Sequence, residues 1–356
     1  MKIFVTGGNG FLGRNLILEL QKRGDSVIVL ALPAEDTTWL EKRGVKVLRG
    51  DLRNSDVLAK GMYNVDVVFH LAAMMGAWRP MQVYYAVNVT GTENVCRTAL
   101  ANGVRRIIHV SSAMVYNMAS GRPITEKDRL DPLDEPYSMT KALGDRLVQR
   151  MIVEDHLPAV IIRPSTIFGT KDPLNFGRIA DRISAGKAII IGSGENTVPF
   201  VYVTDVVRGL LLAMDHPDAE GQIYNIGNDK ALNQKELFSA IAQDIGAMQP
   251  RTHVPYYPLY LAAYAAERLS TLSGCRIPPF VTRHGVKLYG ADNLLSIAKA
   301  RRDLGYEPQV SIREGIQRAA VWYLLQDSWV QGEELVGVPT TVKAALGECD
   351  GAATGR

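Results

Sequence analysis

The chain has 356 residues, about one half hydrophobic (47%) and one fifth charged (22%), which suits one large soluble domain or a core domain with a smaller lobe. A formal charge of +3 with no long basic run argues against nucleic acid as the main partner, because phosphate binding needs a concentrated basic footprint. Cys96, Cys275 and Cys349 are odd in number and far apart, so neither a disulfide framework nor a metal site follows, and a reducing, cytoplasmic setting is expected.

Lys2-Ile3-Phe4-Val5 reads as a strand from the outset, so no signal peptide is expected ahead of the fold. Short β-branched runs at 2–6, 27–32, 45–48, 66–70, 107–111 and 160–163 read as strands. Between them, 11–22 and 87–101 place apolar residues at three- and four-residue steps, the helical period. Such alternation predicts a doubly wound, Rossmann-type α/β fold with a parallel sheet covered on both faces. After Pro164 the texture changes to Gly-, Pro- and Asn-rich sequence with short strands at 188–191, 200–203 and 223–226 and helices at 234–246 and 311–326. The expected division is a dinucleotide-binding domain over 1–164, rejoined by about 200–228, an interleaved substrate lobe over 165–330, and a loosely attached tail over 331–356.

Residues 254–266 form a stretch of thirteen without a charge. A membrane span needs about 20 such residues, so none is predicted. A buried helix is the first expectation. A helix covering an apolar substrate, or touching a membrane surface, is the alternative.

Thr6-Gly7-Gly8-Asn9-Gly10-Phe11-Leu12-Gly13 follows the first strand and opens the first helix. Small residues are needed there for a tight turn, for close approach to a pyrophosphate and for helix–strand packing. The helix N-terminus then offers free N–H groups to phosphate. A dinucleotide site is therefore expected at Gly7, Gly10, Phe11, Leu12 and Gly13. Asp51 and Leu52 after the third strand, and Leu71, Ala72 and Ala73 after the fourth, would extend it, although Asp51 alone could equally cap a turn. The second strand ends Leu30-Ala31-Leu32-Pro33 without a charge. Glu35 and Asp36 come late and Arg14 lies on the first helix, so NAD and NADP are both left open.

Tyr137 and Lys141 are four residues apart on a helix introduced by Asp134-Glu135-Pro136, hence on one face. A free tyrosine has a pKa of about 10, and a neighbouring ammonium is expected to bring it toward neutrality. Ser112, at the end of the fifth strand, would hydrogen-bond the reacting oxygen. With Thr6–Gly13, Asp51-Leu52, His70–Ala73, Asn88–Thr92, Ser111-Ser112, Tyr137–Lys141, Arg163-Pro164 and 200–205, the chain resembles the extended short-chain dehydrogenase/reductase family over roughly 1–326. The resemblance implies that Tyr137 is the acid/base and that Lys141 also holds the nicotinamide ribose. It further implies that Ser112 orients substrate, that Ser111 and Pro164 adjoin the cofactor, and that the protein is a homodimer built through two helices per subunit.

Within that family, Ala113-Met114 stand where dehydratases carry an acidic pair, and Thr166 stands where sugar-nucleotide enzymes generally carry an asparagine. Met75–Trp78, 277–283 and 296–306 resemble the 3β-hydroxysteroid dehydrogenase branch. The expected function is an NAD(P)-dependent oxidoreductase interconverting a secondary alcohol and a ketone on an apolar substrate, of 3β-hydroxysteroid or 3-oxoacyl type. A sugar-nucleotide epimerase is the second reading and a non-catalytic dinucleotide sensor the third.

Overall fold

The computed structural model describes residues 1–331 apart from Ala77 and Met118, with side chains of the final helix described as far as residue 326. The expected tail therefore lies outside the described residues from 332 onward. Seven parallel strands form the central sheet: β1 (Lys2–Thr6), β2 (Ser26–Ala31), β3 (Lys46–Arg49), β4 (Val67–His70), β5 (Arg106–Val110), β6 (Ala159–Pro164) and β7 (Ile223–Ile226). Their spatial order is β7-β6-β5-β4-β1-β2-β3. The chain winds outward from β1 through β2 to β3, then crosses back to lay β4 on the other side of β1. The crevice beyond the carboxyl ends of β1 and β4 is thus the topological switch point, where open α/β sheets bind their ligands.

Alternation along each strand feeds two cores. Ile3 and Val5 face one side, packed with Leu16, Ile17 and Leu20 of α1 (Phe11–Lys22). Phe4 faces the other with Val95 of α2 (Thr92–Ala101) and Leu147 and Val148 of α3 (Pro136–Glu154). α4 (Val203–Asp215) returns to the first side through Val206 and Leu210. A third core joins Phe168, Phe176 and Phe200 to Leu237 and Ile241 of α5 (Gln234–Asp244) and to Ile316 of the last helix. This third core lies within 165–330, and the segment 200–228 divides between it and the sheet, Phe200 facing the lobe while Val206, Leu210 and β7 belong with the sheet. The segment around Ala300, Leu304 and Tyr306 also packs on the sheet core, although it falls within the stretch assigned to the lobe.

The apolar stretch at 254–266 is helical but not buried, which corrects the first expectation for it. α6 (Tyr256–Leu272) continues through Glu267, and only Ala263, Glu267 and Ser270 are buried. Glu267 is tolerated there because Arg283, at the start of α7 (Arg283–Gly290), meets its carboxylate at 2.6 Å. The helix touches the body along a narrow seam instead of entering a core. α8 (Ile312–Gln331) closes the described chain.

Candidate active site

At the switch point, Gly7 adopts φ +70°, and a Cβ there would stand 2.7 Å from the Ala72 nitrogen. Only glycine lets the turn lie this close to the end of β4. Thr6 ties the same two strands together: its hydroxyl sits 2.7 Å from His70 Nδ1 and accepts from the Ala72 N–H at 3.3 Å. A Cβ on Gly13 would meet the Gly7 carbonyl oxygen at 2.3 Å, so glycine is also required where α1 crosses the turn. α1 has Gly10 as N-cap, no side chain capping it and no acidic residue in its first turn. Its free N–H groups and positive dipole end are therefore left for an anion. These features fit the pyrophosphate of a dinucleotide.

The other expected cofactor residues fall along the same crevice rim, at the carboxyl ends of β3 to β6. Leu71, Ala72 and Ala73 are half-buried, following β4. Asp51 follows β3, but its carboxylate already receives Arg53 Nε and Nη2 at 2.9 and 2.8 Å, which holds its pKa below the usual value. Leu52 is buried. Ser111 is buried with no partner for its hydroxyl among the described residues, and Pro164 ends β6 opposite Ile226. Phe11 and Leu12 reach from α1 toward the lobe core.

The end of β2 gathers both signs of charge. Glu35 folds back so that its carboxylate accepts from the Leu32 N–H at 3.1 Å and from Asn9 Nδ2 at 2.9 Å. Arg14 donates to the Asn9 side chain at 2.8 Å and lies over the Trp39 ring, and Arg49 donates to the Leu32 carbonyl at 3.2 Å. A carboxylate and two guanidiniums thus share the place where charge decides between NAD and NADP.

β5 ends at Val110, two residues before Ser112, which caps a short 3₁₀ turn by accepting from the Met114 N–H at 3.2 Å. α3 begins as its sequence dictates: Pro136 occupies the first turn, and the Glu135 carboxylate accepts from the N–H groups of Tyr137 and Ser138 at 3.0 and 2.6 Å. That cap fixes the half-buried Tyr137, whose phenol lies near enough to the Ser112 hydroxyl to feel its lowering effect. Lys141 is buried, and its ammonium donates to the Val110 carbonyl at 2.8 Å. The three expected residues are therefore brought together.

Their electrostatics differ from the expectation. Burial pushes the Tyr137 hydroxyl up to about 12, against the lowering effect of Ser112, with Glu135 adding to the rise. The Lys141 ammonium is turned to Val110, and does not contribute to the Tyr137 shift. Burial instead lowers Lys141 itself to about 8, opposed by the Asp145 carboxylate.

Three supporting groups fall in or beside the family-like stretches but were given no role from the sequence. Asn88 is buried and joins the segment after β4 to the tyrosine helix: its Oδ1 accepts from the Met74 N–H at 2.7 Å and its Nδ2 donates to Thr140 at 3.0 Å. Arg163, fully enclosed, donates from Nε and Nη2 to Asp145 at 2.8 and 2.6 Å and from Nη1 to Tyr116 Oη at 2.6 Å. Burial opposes that charge and Asp145 sustains it above its ordinary value. His70 and His109 lie side by side with ring centroids 5.4 Å apart, both buried and both held neutral by burial and by the Lys141 charge.

Beside the N-terminus of α3 lies a cavity of about 340 Å³, lined among others by Trp78, Arg79, Glu135, Pro136, Arg268 and Cys275. Residues 3–227 match the model of the NAD dependent epimerase/dehydratase family. The chain belongs to that family. As a member it is an NAD(P)-dependent oxidoreductase of the extended short-chain type, with a nicotinamide dinucleotide as cofactor. It is 33% identical over 328 residues to a 2-alkyl-3-oxoalkanoate reductase of Stenotrophomonas maltophilia (strain K279a), covering 89% of this chain and 98% of that protein. A 3 beta-hydroxysteroid dehydrogenase/Delta 5-->4-isomerase of Mycobacterium tuberculosis (strain ATCC 25618 / H37Rv) is 31% identical over 345 residues, covering 91% and 90%. Among solved structures, the UDP-glucuronic acid 4-epimerase from Bacillus cereus in complex with NAD aligns with a TM-score of 0.74 at 25% identity, covering 92% of this chain and 99% of that one. Among the described residues of this family member, no helix is long and apolar enough to cross a membrane.

Proposed function

We propose that the protein interconverts a secondary alcohol and a ketone on an apolar substrate, with Ser112, Tyr137 and Lys141 as its catalytic residues. The observation that carries this is the placing of Tyr137 beside Ser112 on a helix end capped by Glu135, with Lys141 one turn on and anchored to the end of β5. When bound, the nicotinamide supplies or accepts the hydride. Tyr137, protonated throughout the neutral range, gives its proton to the carbonyl oxygen during reduction and takes it back during oxidation. Ser112 donates a second hydrogen bond to that oxygen. Lys141, charged below about 8 and anchored on Val110, is the residue assigned to hold the nicotinamide ribose. The remaining cofactor contacts are assigned to Gly7, Gly10, Phe11, Leu12, Gly13, Asp51, Leu52, Leu71, Ala72, Ala73, Ser111 and Pro164.

Two relatives named for a 3-oxoalkanoate and a 3β-hydroxysteroid support a ketone or alcohol on a largely hydrocarbon substrate. The epimerase reading has the solved neighbour in its favour. Against it stands Thr166, at the position where sugar-nucleotide enzymes generally carry an asparagine. A homodimer through α3 and the helical run before it fits the exposed Val83, Tyr85, Leu100, Leu143 and Val153 on those elements. Free Cys96 and Cys275 fit a cytoplasmic setting.

Tyr137→Phe is expected to lower kcat by about 10²–10⁴-fold while leaving thermal stabilisation by NAD or NADP intact. Turnover within tenfold of wild type would remove Tyr137 from the role. Stabilisation by UDP-sugars but not by sterols or 3-oxoacyl compounds would move the assignment to an epimerase.

A further inference from the structure

α6 and the loop after it present the largest run of exposed apolar side chains on the described chain. Tyr257, Leu261, Leu269, Leu272, Ile277 and Phe280 all stand between 66% and 84% exposed within 24 residues. The seam that holds the helix is narrow: Ala263 packs against Ile191 and Val286, and Glu267 is clamped by Arg283 through two bonds of 2.6 and 2.7 Å. Arg283 also donates to the Asp134 carbonyl at 2.6 Å. The clamp sets the rotation of the helix about its axis. It is this fixed rotation that turns Leu261, Leu269 and Leu272 outward, so their exposure does not come from fraying.

The exposed charges of the stretch itself have one sign. From 246 to 291 the chain carries Arg251, Arg268, Arg276, Arg283 and Lys287, and its only carboxylate is the enclosed Glu267. Arg251, Arg268 and Arg276 are exposed; the acidic neighbours from elsewhere are Asp131 near Lys287, Glu135 across the cavity, and Asp134, 3.7 Å from Arg268 in a surface pair of little energetic weight. An apolar helix face rimmed by cations matches an anionic lipid surface, where apolar burial and attraction to headgroups add. It matches a second copy poorly, because an isologous contact would set the same cations against one another.

We propose that α6 and the 276–280 loop dock on the surface of an anionic bilayer, lying in its interface without crossing it. The same helix lines the cavity beside α3 through Glu267, Arg268 and Thr271, with Gly274 and Cys275 following. Docking thereby sets that cavity at the hydrocarbon boundary, where an apolar ketone or alcohol partitions. Delivery of substrate from lipid rests on the proposed function; the contact with lipid does not.

The test is sedimentation of the full chain with phosphatidylcholine vesicles, with and without phosphatidylglycerol. Binding is expected to phosphatidylglycerol-containing vesicles, and to be at least about tenfold weaker on phosphatidylcholine alone and in about 1 M salt. Leu261→Asp with Leu272→Asp is expected to abolish it, while thermal stabilisation by NAD or NADP shows that the variant is folded. Equal binding to both vesicle types would overturn the proposal. So would absence of binding together with a self-association that the double variant dissolves, or binding acquired only on truncation after residue 331. None of these readouts needs turnover, so loss of the proposed reaction and loss of docking are told apart.

Discussion

Replacing Asp145 with asparagine leaves Arg163 charged, enclosed and short of its carboxylate. The two side chains are 1% and 0% exposed, so water cannot take the missing partner's place. An asparagine presents one oxygen and no charge, where the carboxylate now accepts two guanidinium bonds. Breaking one half of a buried pair costs about 3–5 kcal/mol, a large part of the roughly 5–15 kcal/mol that holds a domain together. The melting temperature is expected to fall by roughly 6–12 °C. The same substitution reaches the active site, because Asp145 is the group that supports the Lys141 charge against burial. Lys141 then titrates below about 8, and the alkaline decline of kcat/KM for ketone reduction moves to lower pH. Calorimetry and a pH profile on the same preparation read both effects. The double variant Asp145→Leu with Arg163→Met removes both charges and is expected to lose less stability than Asp145→Asn alone. A melting temperature within about 2 °C of wild type for Asp145→Asn, or an unmoved alkaline limb, would refute the reasoning.

Two further outcomes concern the ground on which the site stands. His70 is lowered to about 3 and His109 also falls well below its ordinary value, first by burial and then by Lys141. A histidine in the unfolded chain titrates near 6.5, so unfolding takes up protons as pH falls, and stability is lost on the acid side at up to about 2 kcal/mol per histidine between pH 7 and 5. Urea titrations at the two pH values measure this, and His109→Leu should cut the difference by about half; an unchanged difference would show that His109 is not neutral in the fold. Gly13→Ala places a methyl 2.3 Å from one backbone atom and 2.6 Å from another, neither of which is a flexible side-chain end. It is expected to cost about 1–3 kcal/mol and to abolish NAD or NADP binding by calorimetry; retained affinity within about threefold would deny the close crossing of helix and turn.

What was legible in the sequence was local. β1 and α1 begin and end where their periods and glycines place them, because turn and cap signals lie within a few residues of each boundary. The Ser112, Tyr137 and Lys141 set was legible for a related reason, since spacing on one helix and one strand end carries it. Partners distant in the chain were not. Asn88 meets Thr140 across 52 positions, and Lys141 meets Val110 across 31, contacts that no local pattern announces. The electrostatic expectation for Tyr137 failed because helical spacing places Lys141 on the right face without saying which acceptor its ammonium takes. α6 was misjudged as buried because apolar composition does not reveal how much of a helix finds a neighbour. The carboxylate that ended the uncharged stretch, Glu267, turned out to be the pin that orients it.

The turn around Gly7 and the cluster at the end of β2 border one proposed nucleotide site but differ in mechanical tolerance. Gly7, Thr6 and Ala72 fasten two central strands with backbone atoms in contact, so a change there disturbs the sheet itself. Glu35, Arg14 and Arg49 hang from the rim by side-chain bonds. An engineer, or a lineage under drift, can exchange those rim residues and alter the preferred dinucleotide without paying in fold stability. The protein thus has its power supply on a replaceable plug and its socket cast into the frame.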